Sequence, residues 1–382
     1  MVALEHYKGR EQSYVKHVFL ECYLQRLIFK TAPTFGHIVY VDGFAGPWQS
    51  ANEKFEDTSF GIALAALRAA KSALKDRYPH LKMSAHLVEK DANAHTELEK
   101  IKAKFPDISI TTYNKDFLDV VPNILKAIPN DAFAFFLLDP KGYDISLKKI
   151  EGLLKRPKSE TIFNFMFDFI NRAINIKDPH MMAMLDALIP YGDWRQKLAD
   201  ADSANARKAI IVEAFGQSLQ TIGEYTYVAE TTVLRPVKDR PLYCLFYATR
   251  HGKGIEVFRD SQMEALKKES ETRAATKLQH TANKSGQGEI FESLHDMAPD
   301  KLDLYLEEER KAAQETLIAL VPQTPQSITY DKLRAQVLAR HVVRYPDVNQ
   351  IAKKLYKDGK LLIPDWERGK QVPQATYRIQ KP

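Results

Sequence analysis

HIVYVDGFAG, residues 37–46, decides how the rest of the chain is read. Ile38 to Val41 is too short for a helix and rich in β-branched and aromatic side chains, which suits a strand buried on both faces. The run breaks at Asp42. Gly43 and Gly46 then let the backbone turn sharply and pass close to a ligand, because neither carries a Cβ. In an open parallel sheet, ligands bind beyond the carboxyl ends of the strands, so this turn is a candidate binding loop.

The same alternation repeats outward from that stretch. Residues 11–30 place Val15, Val18, Phe19, Cys22, Tyr23 and Leu27 near helical spacing, as in an amphipathic first helix. Residues 59–77 are an alanine-rich helix, SAHLVEKD (84–91) a second strand, and 92–105 has helical composition. ISITTYNKDF (108–117) reads as a third strand and 117–128 as a helix interrupted by Pro122. AFAFFLLDPKGY (132–143) is a fourth strand ending in a turn, 146–156 is helical, and TIFNFMFDF (161–169) is a fifth strand. Residues 174–220 read as a mostly helical insertion, and 225–234 with 240–251 as an antiparallel pair of late strands. Strands apolar on both sides, alternating with helices, define the expected fold class: α/β, with a Rossmann-like, mostly parallel sheet.

Composition supports a globular chain. The 382 residues are 45% hydrophobic and 27% charged, enough for one large domain or two ordinary ones. No apolar stretch approaches the roughly 18 residues of a membrane helix, and MVALEHYKGREQ lacks the layout of a signal peptide. A cytoplasmic location and no membrane partner are therefore expected. Cys22 and Cys244 lie far apart, so neither a disulfide framework nor a zinc site is suggested, and both read as small buried hydrophobes.

The formal charge of +6 is unevenly spread. Residues 320–382 hold twelve Lys and Arg against five Asp and Glu, leaving 43 basic and 44 acidic residues before them. The texture changes there too. TANKSGQGE (281–289) is a polar linker, giving an α/β domain over 1–284 and a second domain over 285–382. Helices at 299–322, 324–340 and 347–360, the last stopped by Gly359, precede two short strands within 361–379. That is the order of a winged helix. Its third helix carries Lys353, Lys354, Lys357 and Lys360, and its wing Arg368 and Lys370. In such domains the third helix commonly enters a groove while the wing touches backbone, so DNA or RNA is the expected partner. The plainer alternatives are a solvated lysine face or a protein-binding winged helix.

Four strand ends carry a carboxylate in or beside a turn: Asp42 to Pro47, Glu89 to Asp91, Asn114 to Phe117, and Asp139 to Tyr143. Glu89 is placed to accept both ribose hydroxyls of a nucleoside. Asp116 could meet an adenine amino group and Asp42 a cationic ligand group. The first loop is not GxGxxG and no GK[ST] loop is present, so NAD and nucleoside triphosphates fit less well. Asp139 and the Pro140 carbonyl are candidate acceptors for the hydrogens of an exocyclic amine, with Tyr143 as the stacking face. Asn164 and Phe165 could supply a second wall or simply belong to a central strand. A single acid after a strand is otherwise a helix N-cap, and an Asp-Pro-Lys-Gly run an ordinary turn.

With these residues in view, the chain resembles the class I S-adenosylmethionine-dependent methyltransferases. More narrowly, VDGFAGPW, LVEKD and LLDPKGY, with YVKHVFLECYL before them, are similar to the bacterial three-Cys-motif partner proteins. In that family a methyltransferase-like domain precedes a helical, winged-helix-like tail, and the gene neighbours that of a separate protein with three cysteines. The resemblance implies S-adenosylmethionine as cofactor and a separate three-cysteine protein as partner. It implies that Asp42, Phe44 and Gly46 form the first cofactor motif, Glu89 the ribose contact, Asp116 the adenine contact and Asp139-Pro140 the fourth motif. Two positions depart from the pattern: Trp48 stands where a glycine is usual, and Lys141-Gly142 separates Asp139-Pro140 from Tyr143. The expected function is methyl transfer to nucleic acid at a nucleobase amino group, with the basic tail holding substrate. A catalytically inactive partner subunit and a small-molecule methyltransferase are the alternatives.

Overall fold

The computed structural model describes residues 7, 10–46, 55–140, 142, 144–235, 240–285 and 298–382. They fall into two units, Met1–Arg250 and His251–Pro382. Among the described residues no helix is long and apolar enough to cross a membrane.

The first unit is built from seven strands: β1 (His37–Asp42), β2 (Lys82–Val88), β3 (Ser109–Tyr113), β4 (Phe133–Leu138), β5 (Ser159–Phe165), β6 (Tyr227–Leu234) and β7 (Pro241–Thr249). Its helices are α1 (Glu11–Thr31), α2 (Ser59–Leu74), α3 (Ala92–Glu99), α4 (Ile101–Lys104), α5 (Phe117–Ala127), α6 (Glu151–Leu154), α7 (Phe167–Ala173), α8 (Pro179–Leu188), α9 (Trp194–Ala199) and α10 (Ala204–Gly223). The strands form one sheet in the order β3-β2-β1-β4-β5-β7-β6. β1 pairs in parallel with both β2 and β4, while β7 runs antiparallel to β5 and β6. The expected α/β, mostly parallel sheet with an antiparallel late strand is what the chain forms. Strand order reverses between β1 and β4, which places the switch point at Asp42 and Asp139.

Alternation along the strands sorts the side chains between two faces. Val39, Val41, Phe136, Leu138, Phe163 and Phe165 join one core with Phe117 and Ile124 of α5 and Phe215 of α10. On the other face Tyr40 stacks on Phe135, and Tyr23 of α1 packs against Phe135 and Tyr247. Leu137, Asp139 and Asn164 follow the register of this second face, under α1.

Several boundaries differ from the sequence expectation. The fifth strand stops at Phe165, and Phe167-Asp168-Phe169 begins α7 instead of prolonging β5. Pro122 lies inside a continuous α5, whose apolar stripe of Phe117, Val120, Val121 and Ile124 outweighs one missing N–H. Within 174–220, α8 and α9 are additional, whereas α10 packs on β6 and β7 as the crossover helix that covers the sheet. Cys244 is buried, and burial pushes its thiol well up; Cys22 is half-buried.

The start of α2 shows how tightly the first loop is backed. Thr58 caps the helix by accepting the Gly61 N–H at 3.1 Å, and its hydroxyl donates to the Phe55 carbonyl at 2.7 Å. A Cβ on Gly61 would stand 2.0 Å from that same carbonyl oxygen. Gly61→Ala is therefore expected to cost about 3 kcal/mol of stability, read by urea denaturation, through overpacking against backbone that cannot step aside. A loss below about 1 kcal/mol would contradict that steric account.

The second unit comprises α11 (Gly252–Ser285), α12 (Ala298–Leu320), β8 (Ile328–Thr329), α13 (Tyr330–Arg340), α14 (Tyr345–Lys357) and β9 (Arg378–Ile379). β8 pairs antiparallel with β9, and Leu362 bridges Gln380 on the other side, so a wing of residues 363–377 closes a small sheet. This is the winged-helix-like arrangement. The division falls at 250/251 and not at 284/285. Buried Arg259 of α11 donates to the carbonyls of Leu338 (2.6 Å) and Ala339 (3.1 Å), and Arg334 pairs with Glu256 at 2.9 Å, so α11 packs with the helices after it.

Candidate functional site

The 42–46 loop is stitched to both neighbouring strands. The Gly43 N–H donates to the Leu137 carbonyl of β4 at 3.1 Å, and the Ala45 N–H to the Val88 carbonyl of β2 at 2.8 Å. Packing favours glycine at 43: a Cβ there would lie 3.0 Å from the Phe117 ring. Phe44 packs on the same ring, 5.4 Å between centroids, and Gly46 is partly exposed at the end of the loop.

Asp42 holds this loop from beneath. It is fully buried, and its carboxylate accepts hydrogen bonds from the Phe44 N–H (3.0 Å), the Tyr40 hydroxyl (3.0 Å) and the Ser59 hydroxyl (2.7 Å). Burial is the main cause that raises its pKa to about 6; the three hydrogen bonds act in the opposite direction, and nearby Asp139 raises it further. A folded-state pKa above the unfolded one gives stability that is complete below about pH 4 and is lost as the pH rises through 6. Asp42→Asn removes that dependence. Relative to the unsubstituted chain, the variant should gain roughly 3 kcal/mol between pH 4 and pH 7, since each tenfold difference in acidity between folded and unfolded chain is about 1.4 kcal/mol. Urea titrations at the two pH values test this; an unchanged difference would show that the carboxyl stays easily ionised.

Glu89 begins the turn after β2 and is only 4% exposed. One carboxylate oxygen accepts the Asp91 N–H at 2.7 Å, and the other meets no donor among the described residues. The Asn114 amide donates to the carbonyls of Glu89 (3.0 Å) and Lys90 (3.1 Å), which fixes the turn against the end of β3. Asp116 is exposed and caps α5, accepting the Leu118 N–H at 3.0 Å through one oxygen. The N-cap role is thus the one it fills within the chain, with its second oxygen left over.

At the end of β4, Asp139 takes Lys16 Nζ on one oxygen and the Asn164 side-chain amide on the other. A carboxylate offers about four acceptor positions, so two remain. Pro140 is buried, and its carbonyl accepts no hydrogen bond from a described residue. Asn164 Oδ1 is buried without a donor among the described residues. Phe165 is no wall of this site: it points to the opposite face, fully buried against Phe215 and Phe246. Tyr143, Lys141 and Trp48 lie outside the described residues.

The rim therefore runs from Asp116 through Glu89, the 42–46 loop and Asp139 to Asn164, along β3-β2-β1-β4-β5. Lys16 is the residue that inspection of strand ends missed. Its signal was available: it is a lone cation among Tyr14, Val15, His17, Val18, Phe19 and Leu20, all buried in α1. His86 stays within β2, bonded to the Tyr113 hydroxyl at 3.0 Å, and His95 pairs with Glu99 on α3; neither joins the rim.

In the second unit, Val348, Asn349, Ala352 and Leu355 form the buried face of α14. Lys353, Lys354 and Lys357 occupy the opposite face, with Lys360, Arg368 and Lys370 exposed beyond it. Lys353 donates to Gln371 of the wing at 3.0 Å, and Trp366 stacks on Tyr356, 4.5 Å between centroids, so the wing is fastened to α14.

The sheet order, its reversal at β1 and β4 and the antiparallel β7 define a class I methyltransferase-like α/β fold. No family model and no curated protein matches the chain. Among solved structures it is similar to the Legionella pneumophila protein LPL1258, with 12% identity and a TM-score of 0.36, over 61% of this chain and 84% of that one. It is also similar to an O-methyltransferase from Bacillus cereus in complex with SAH, with 11% identity and a TM-score of 0.30, over 60% of this chain and 80% of that one.

Proposed function

We propose that the chain is an S-adenosylmethionine-dependent methyltransferase acting on nucleic acid at a nucleobase amino group. The observation that carries this reading is Glu89, a buried carboxylate at the switch-point edge with one oxygen spent on its own turn and the other unpartnered among the described residues. Such an oxygen, beside a glycine-bearing loop, fits a ribose hydroxyl. Glu89 would hold the ribose, the backbone of 43–46 the methionine end, and the second oxygen of Asp116 the adenine amino group. When bound, S-adenosylmethionine supplies an electrophilic methyl group on a sulfonium.

The residues of this chain do the positioning. Asp139 and the Pro140 carbonyl accept the two hydrogens of an exocyclic amine and so aim its lone pair. Lys16 and Asn164 fix the Asp139 carboxylate from α1 and β5. Lys353, Lys354, Lys357, Lys360, Arg368 and Lys370 engage phosphates of the substrate strand. The resemblance to three-Cys-motif partner proteins adds a separate three-cysteine protein as partner in this proposal.

One observation favours a second reading, a module that binds without catalysis: Lys16 already sits on Asp139. Labelled methyl donor incubated with mixed DNA, RNA and cell extract separates the two. Label in nucleic acid is the expected result. Label confined to low-mass acceptors, or none at all, would sink the proposal.

A further inference from the structure

The same carboxyl edge, beyond β5 and β6, carries a cluster that none of the residues above uses. Asp168 of α7, 6% exposed, faces three guanidiniums: Arg235 at 2.6 Å, Arg172 at 3.2 Å and Arg240 at 3.7 Å. One carboxylate against three arginines leaves a surplus of two positive charges. Arg235 makes the short ion pair. Arg172 also donates through Nε to the Asp168 carbonyl at 3.2 Å, yet its side chain is 65% exposed. Arg240 is 64% exposed and makes no hydrogen bond through its side chain to a described residue.

Holding Asp168 in place needs one cation, and exposed ion pairs add little to stability. Two further guanidiniums that repel each other are instead kept side by side with donors toward solvent. The backbone ties Arg240 to Arg235, since the Arg235 N–H donates to the Arg240 carbonyl at 2.9 Å across the mouth of the β6–β7 hairpin. Next to Asp168, Phe169 is 47% exposed, with the Arg172 guanidinium 5.3 Å from its ring centroid. Its edge also lies 3.9 Å from where a Cβ on Gly142 would stand, so the patch borders the turn after Asp139-Pro140.

We infer that Arg172 and Arg240 bind a phosphate of the acceptor, with the Asp168–Arg235 pair as their fixed base and Phe169 as a stacking face for the adjoining base. The inference rests on the nucleic-acid reading above and gives that substrate a second, separate set of phosphate contacts. Guanidinium donors match phosphate oxygens in pairs, and an exposed aromatic ring beside them takes any base.

The test uses the full chain and a fluorescein-labelled, mixed-sequence single-stranded RNA, followed by anisotropy over a range of salt. Arg172→Gln with Arg240→Gln leaves the Asp168–Arg235 pair intact. The double variant should bind about tenfold more weakly, and the slope of log affinity on log salt should fall by roughly 0.7, for the one phosphate no longer neutralised. The loss should persist when Lys353, Lys354, Lys357 and Lys360 are also glutamine, which separates it from the second unit. Adenosine monophosphate is titrated in parallel: equal sensitivity to the two arginines assigns the phosphate to a free nucleotide, and sensitivity of RNA alone assigns it to a strand. Unchanged affinity and slope for both probes would overturn the inference. Titration of S-adenosylmethionine on the same preparations keeps the outcomes apart, because RNA binding through these arginines without cofactor binding removes the enzymatic reading and leaves the anion site standing.

Discussion

Glutamine at position 89 is expected to weaken S-adenosylmethionine binding by about 100-fold while the fold is retained. The replacement keeps an oxygen that can accept the Asp91 N–H, now bonded at 2.7 Å, so the turn after β2 survives. What it loses is the charge and the second acceptor. A hydrogen bond to a charged group contributes about 1.5–3 kcal/mol, and an amide N–H pointed at a hydroxyl needs that hydroxyl to reverse its donor role. The total, near 3 kcal/mol, is about two decades of affinity. Calorimetric titration gives the number directly. Affinity within threefold of the unsubstituted chain would mean that the buried acid serves only its own turn.

Asp139→Asn is expected to reduce methyl incorporation by about 10³-fold and to leave cofactor affinity within a few-fold. Loss of one preorganised partner at the reacting group costs catalysis on that scale, whereas the ribose and adenine contacts lie on other strands. Lys16→Met should lower the rate less, since Asn164 still holds one oxygen of the carboxylate. Labelled methyl transfer and calorimetry on each variant read the two effects separately. Undiminished transfer by Asp139→Asn would remove Asp139 from the chemistry and shift weight to the non-catalytic module.

Most of the sheet could be read from residue types because its central strands are buried on both sides. Val39 to Val41 and Phe133 to Leu138 show as unbroken apolar runs, and a parallel sheet with covering helices is what such runs build. Strand ends were equally visible, since carboxylates and glycines mark them. What the ends do was less visible. Asp42, expected to meet a ligand charge, is buried and takes three hydrogen bonds, from Tyr40, Phe44 and Ser59, which a sequence does not display. Lys16 and Asp139 are 123 residues apart, and only the docking of α1 on the face shared by Leu137 and Asp139 brings them together. Phe167 to Phe169 looked like more strand because three positions cannot distinguish a period of two from one of 3.6. The turn of Asp168 toward its arginines follows from that helix.

The guanidinium of Arg259 has a practical bearing on how the protein is divided. It closes the end of α13 by filling the carbonyls of Leu338 and Ala339 from a helix that begins at Gly252. A fragment cut in the polar stretch near residue 285 would leave those two oxygens without their donor and strip a packed wall from the helices behind it. For separate expression the scissors belong at the junction of Arg250 and His251, where the lysine-bearing half keeps its own keystone.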